Sequence, residues 1–367
     1  MKSFDTWKKL HDSGQLSEFN QRDSTGVLWL KIKSILRKEL FARFLAETEV
    51  ILSVKKLQDQ FKAFYDMAVT EPALCQSLDR FLCDESMRVL TQFDEKKLVS
   101  ELYQLKVFDW GGDYKNALDK YLVSRYVKQI DSYHTLISKF ESEINGAVQG
   151  YVLNSWYNHW SSILIERLFW THSDIIPAIG QIKNVDFFLH DIPFDLKVTY
   201  LPEGYIKLKR KEKEWPAEIS LLKQEAKKLD ISFQKGNDDS KIIYEITEKM
   251  RDKNTLPCRN ALKTLQRQRQ EILEDAQNSP KELAKWLYEN QGEMRFSSEN
   301  RLFLVLVDSS HYDQSWKLKR NIDCLKPAIH HYLDNFDKNH INRLELDFQY
   351  KAKKYTVLSD VVFVVKK

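Results

Sequence analysis

The chain has 367 residues, 43% of them hydrophobic and 12% aromatic, which excludes disorder as the main state and leaves room for a large core. Its 57 basic and 53 acidic residues leave a net charge of only +4, so overall charge marks no nucleic-acid binder and any basic surface must be local. None of the four cysteines (Cys75, Cys83, Cys258, Cys324) forms a C-x-x-C pair, and no apolar leader or membrane-length apolar run occurs, so a soluble protein of the reducing cytoplasm, with no membrane partner, is expected.

Residues 1–145 read as an all-helical N-terminal domain. Apolar residues recur at three- and four-residue spacing over Val27–Phe44, Ile51–Met67, Glu71–Leu82, Glu95–Leu105 and Asn116–Ile144. Asp109-Trp110-Gly111-Gly112-Asp113 interrupts them. In the first of these helices, Lys31, Lys33, Arg37 and Lys38 are expected on the wet face. A long helix then runs from about Val148 to Trp170. It is apolar almost all round, except for a stripe of Ser155, His159, Ser162 and Glu166.

The next stretch, Asn184 to Thr199, alternates as two short strands around a turn at His190-Asp191. Asn184, Asp186, Pro193, Asp195, Lys197 and Thr199 fall on one face. Val185, Phe187, Leu189, Phe194, Leu196 and Val198 fall on the other, and Phe188 is out of place. This pairing sets Asp186 opposite Asp195 with Cβ atoms roughly 4.5–5.5 Å apart, where like charges repel. Two facing carboxylates beside a lysine call for a cation.

Leu201 to Glu214 is charge-rich. Six basic residues (Lys197, Lys207, Lys209, Arg210, Lys211, Lys213) stand against three glutamates over 197–214. With Tyr200, Tyr205 and Trp215 interleaved, this segment is a candidate grip on a phosphate backbone, through Lys207, Lys209, Arg210, Lys211 and Lys213; a solvated charge run is the alternative. Helical patterns occupy about 217–230, 257–276 and 280–290, with a loop at Gly236-Asn237-Asp238-Asp239. Leu302–Val307 reads as a central strand, Gln314–Phe336 as a helix, and Arg343–Tyr350 and Val361–Val365 as further strands. The fold class is therefore α/β, a mixed central sheet flanked by helices in 146–367 with a largely helical insertion at about 214–295.

Asp195-Leu196-Lys197 puts a carboxylate and an ammonium on one strand face. With Asp186 and with Glu166 from the preceding helix, the carboxylates suit Mg²⁺, with Mn²⁺ as an acceptable substitute. Such an ion polarises a phosphoryl oxygen and acidifies water, and Lys197 is placed to orient that water. No P-loop, G-x-S-x-G or H-E-x-x-H motif competes, and His330-His331 lacks the companions of an HNH site.

This constellation resembles the PD-(D/E)XK nuclease superfamily, which includes type II restriction endonucleases. That family carries an acid on one strand, an (Asp/Glu)-x-Lys tripeptide on the adjacent antiparallel strand, and often a glutamate on the helix before them. Asp186, Asp195, Lys197 and Glu166 match those places; Val185 stands where the family's proline often does. The resemblance implies a restriction-endonuclease-like core and Mg²⁺-dependent hydrolysis of DNA phosphodiesters in restriction or phage defence. It also implies catalytic roles for Glu166, Asp186, Asp195 and Lys197, with a homodimer as one expected assembly. A non-cutting nucleic-acid-binding or assembly subunit with the same fold, or a nuclease of RNA or repair intermediates, draws on the same residues.

Overall fold

The computed structural model describes residues 2–19, 24–107, 118–182, 184–234, 239–290, 299–350 and 352–367. The breaks read at 109–113 and 236–238 lie outside them. Five helices come first: α1 (Phe4–Asp12), α2 (Ser24–Ser34), α3 (Lys38–Glu47), α4 (Leu57–Thr70) and α5 (Pro72–Thr91). The helix expected over Val27–Phe44 is two helices. Ile35 and Leu36 donate to carbonyls three residues back and Arg37 is extended, so the chain turns there. The turn leaves α2 on the sheet and sends Phe41 and Phe44 against Phe61 and Phe64 of α4.

Next come α6 (Glu95–Leu102), α7 (Leu118–Leu122), α8 (Tyr133–Lys139) and α9 (Asn145–Trp170). The run expected as one helix over Asn116–Ile144 is broken between α7 and α8, where Ser132 caps the new start by accepting the Thr135 N–H. Three strands follow as a meander: β1 (Ile175–Ile182), β2 (Val185–Leu189) and β3 (Ile192–Tyr200). Helices α10 (Glu203–Glu212), α11 (Glu218–Lys228), α12 (Asp239–Lys253), α13 (Leu256–Asn278) and α14 (Pro280–Asn290) lead to β4 (Arg301–Asp308). The chain ends with α15 (Ile322–Asp334), α16 (Lys338–Ile341), β5 (Glu345–Tyr350) and β6 (Lys353–Lys366).

The sheet order is β1-β2-β3-β4-β6-β5. Pairing is antiparallel at both flanks and parallel at β3–β4 and β4–β6, so the α/β class with a mixed sheet stands as expected. Strand β1 is an addition to the sequence reading. Pro177 and Gly180 spoil its alternation, but an edge strand tolerates proline. Gly180 is needed there because a Cβ would lie 2.1 Å from the Ser34 carbonyl oxygen of α2. Helix α12 is likewise new. The helix expected over Gln314–Phe336 is a 3₁₀ segment, Tyr312–Arg320, followed by α15, because Asn321 stops the first and caps the second by accepting the Cys324 N–H.

One sheet face is covered by α9 and α15, which bury Phe187, Leu189, Phe194, Leu302, Leu304, Leu306, Val362 and Val364. The other cover comes in two parts. Helices α1–α5 pack on Ala178, Ile182, Val185 and Phe188 at the β1–β2 end. The first half of α10, the second half of α13 and α14 pack on Phe303, Val305, Val307 and Phe348 at the other end. The first five helices therefore share one apolar cluster with the sheet instead of standing apart from it. Phe188, anomalous in the alternation, is their anchor and is wholly buried. Lys31 is a correction too. It is 5% exposed, not on a wet face, and bridges Asp79 of α5 at 2.8 Å and Asp191 of the β2–β3 turn at 2.7 Å. Between α10 and β4 the described residues are largely helical, as expected. Within it, α11, α12 and the first half of α13 form a small bundle with a core of its own.

Candidate active site

The site is built where β2 and β3 part. Their ladder pairs Leu189 with Ile192, Phe188 with Pro193 and Phe187 with Phe194. One step further sets Asp186 across from Asp195, as the alternation requires. The tight turn is possible because His190 and Asp191 both take positive φ, 47° and 60°, the pattern of a type I′ hairpin. Beyond this point β3 pairs only with β4. Asp195 donates its N–H to the Asn300 carbonyl on that side, so the next N–H, that of Leu196, points back toward β2. It finds no backbone partner there. The Asp186 carboxylate accepts it instead, Oδ2 at 2.7 Å.

Asp195 is 3% exposed and both its oxygens are engaged. Lys197 Nζ donates to Oδ1 at 2.7 Å and Arg301 Nε donates to Oδ2 at 3.1 Å. Arg301 stands beside Asp195 in the parallel register and also donates to Glu299 Oε2 at 3.0 Å; Asn184 donates to the other oxygen of Glu299. Arg301, Glu299 and Asn184 are therefore site neighbours for which the sequence reading held no role. The available signal was a charged residue at the head of an otherwise apolar strand, Arg301 before Leu302–Val307. The Lys197 side chain is 46% exposed, so its ammonium faces solvent as well as Asp195.

Glu166 does reach this place. It lies one turn before Phe169 on α9, and Phe169 stacks on Phe187 at 5.1 Å, next to Asp186 along β2. Its carboxyl makes no hydrogen bond or ion pair among the described residues. Burial, and then the nearby Asp186 charge, push it up to about 8. Burial and the Asp195 charge push Asp186 up to about 6, against the pull of the Leu196 N–H and Lys197. The rest of the stripe is not part of the site: Ser155, His159 and Ser162 are exposed further along α9.

These facts define what the site can hold. Among the described residues, no three His, Cys, Asp or Glu side chains gather into a ready metal-binding group. Asp195 is already neutralised by two cations. Burial and a neighbouring carboxylate raise both Glu166 and Asp186 despite the pull of Arg167 and Lys197, and two hard carboxylate oxygens are the donors Mg²⁺ takes along with water and phosphate. The acidic pair therefore fits a divalent ion.

The basic run on α10 divides. Arg210 is buried, donating to the Pro216 carbonyl and to Gln268, so it is structural and not a phosphate ligand. Lys209 is tied to Glu212 and Glu282, and Lys213 to Asp275, because α13 and α14 pack beside α10. Lys207 and Lys211 are exposed. No family model, curated protein or solved structure matches this chain. Among the described residues no helix is long and apolar enough to cross a membrane.

Proposed function

We propose that this chain is a metal-dependent endonuclease of the PD-(D/E)XK kind that hydrolyses DNA phosphodiester bonds, in restriction or another defence against foreign DNA. One observation carries the reading. An acid on β2 and an Asp-x-Lys on antiparallel β3 meet where the strands separate, with a half-buried glutamate arriving from the helix before them. Glu166 and Asp186 would hold the divalent ion, and Mg²⁺ bound there supplies charge neutralisation and an acidified water. Lys197, half exposed beside Asp195, orients the attacking water or steadies charge on the phosphate. Asp195 holds that ammonium in place, while Arg301, itself held by Glu299, holds Asp195.

The test is plasmid cleavage. Wild type, Asp195→Ala and Lys197→Ala are incubated with supercoiled plasmid, in Mg²⁺, in Mn²⁺ and in chelator. The reading expects metal-dependent nicking or discrete fragments that both substitutions abolish. Identical behaviour of all three proteins would sink it. The full engagement of Asp195 by Lys197 and Arg301 favours a second reading, a DNA-binding subunit of the same fold that does not cut. Duplex binding with no cleavage in either metal would select it.

A further inference from the structure

The α10 run spends most of its charge inside the protein, so a duplex needs another handle. Helix α13 carries one. From Leu256 to Gln270 there is no Asp or Glu, against Arg259, Lys263, Arg267 and Arg269. Helical geometry separates these four. Cys258, Leu265, Gln268 and Ile272 face inward, and Arg269 goes with them onto Glu218, at 2.8 and 2.6 Å. Arg259, Lys263 and Arg267 step by four along the opposite, exposed face, with Gln266 among them.

These side chains are less committed to carboxylates than those of α10. Lys263 has no ion pair or hydrogen bond among the described residues. The carboxylate of Glu271 is 3.7 Å from Arg267, and Arg259 donates only to Asn254. The face is also held firmly. The first half of α13 closes the bundle with α11 and α12 around Leu222, Ile246, Met250 and Leu265, and its second half packs into the cover over β4. The result is a cationic helix, about 10–12 Å across with side chains, on a stiff support; a major groove is about 12 Å wide. Arginine, lysine and glutamine are the side chains that pair with guanine and adenine edges and with phosphates.

We propose that the exposed face of α13, through Arg259, Lys263, Gln266 and Arg267, is a docking surface for double-stranded DNA, seated in its major groove. This assignment builds on the nuclease reading, since it names the element that presents the duplex to the site on β2 and β3. Charge complementarity selects the partner: three cations share one exposed face, and only Arg267 has a carboxylate, that of Glu271, beside it.

The test uses the full chain in chelator, so that binding is read without cutting. A fluorescein-labelled DNA duplex of mixed sequence is titrated by anisotropy across a salt series. The variant Arg259→Glu/Lys263→Glu/Arg267→Glu should bind about tenfold or more weakly at low salt, and the slope of log K against log salt should flatten by about 2–3. Arg259→Lys/Lys263→Arg/Arg267→Lys should keep both, as should Lys326→Glu on α15. Unchanged binding by the triple reversal would overturn the proposal, as would wild type that binds RNA duplex but not DNA, or neither. If wild type cuts plasmid but the reversal binds normally, only this inference falls. If wild type binds through α13 but never cuts, only the nuclease reading falls.

Discussion

Glu166→Gln should make the metal-free protein more stable at alkaline pH. The Glu166 carboxyl is raised from 4.5 to about 8 by burial and by the Asp186 charge. A group raised in the folded state contributes stability that is fully present below its unfolded value and is lost as pH climbs through the folded value. At about 1.4 kcal/mol per pH step, ionising Glu166 in place costs on the order of 5 kcal/mol, and relaxation of the site trims this toward 3. Glutamine keeps the shape and cannot ionise. Asp186, raised to about 6, titrates below Glu166 in both proteins, so its contribution largely cancels. Denaturant melts in chelator should show the two proteins within about 1 kcal/mol of each other at pH 5, and the variant ahead by about 3–5 kcal/mol at pH 8.5. If the proposed function holds, added Mg²⁺ should stabilise wild type more than the variant, because it would bind the folded acidic pair. A variant no more stable than wild type at pH 8.5, or a gain of equal size at pH 5, would refute the reasoning.

Three further outcomes follow from the packing. Gly180→Ala drives a Cβ into the Ser34 carbonyl, so α2 must lift from β1; a loss of about 2–3 kcal/mol is expected, read as a lower denaturation midpoint at constant slope. Phe188→Ala empties the wholly buried anchor between the hairpin and the N-terminal helices and should cost about 3–5 kcal/mol by the same measurement. Lys31→Met leaves Asp79 half-buried without its cation and should cost about 2–3 kcal/mol, whereas Asp191→Asn, at a carboxylate 70% exposed, should cost under about 1 kcal/mol in calorimetric or denaturant unfolding. Burial outweighs the ammonium at Asp79, whose carboxyl is raised, so Lys31→Met with Asp79→Leu should recover most of the loss; failure to recover it would count against a paired origin.

What the sequence determined by itself was local. The two-residue period of 184–199 set the hairpin, its turn and the opposition of Asp186 to Asp195, because alternate side chains on a strand leave no other choice once the turn is placed. The same reasoning found β4, the mixed sheet and the helical stretch before it. What only the tertiary structure decided depends on which surfaces meet. Lys31 and Arg210 look like surface charges in a helical pattern, yet packing from distant segments buries both. Strand β1 was hidden because Pro177 and Gly180 are acceptable only at an edge pressed by α2. At the site, chain order says nothing of Arg301, which reaches Asp195 only because β4 returns parallel to β3 from 106 residues away. That contact divides the acids. Asp195 anchors Lys197, while Asp186 and Glu166 are the carboxyls that burial and a neighbouring charge raise.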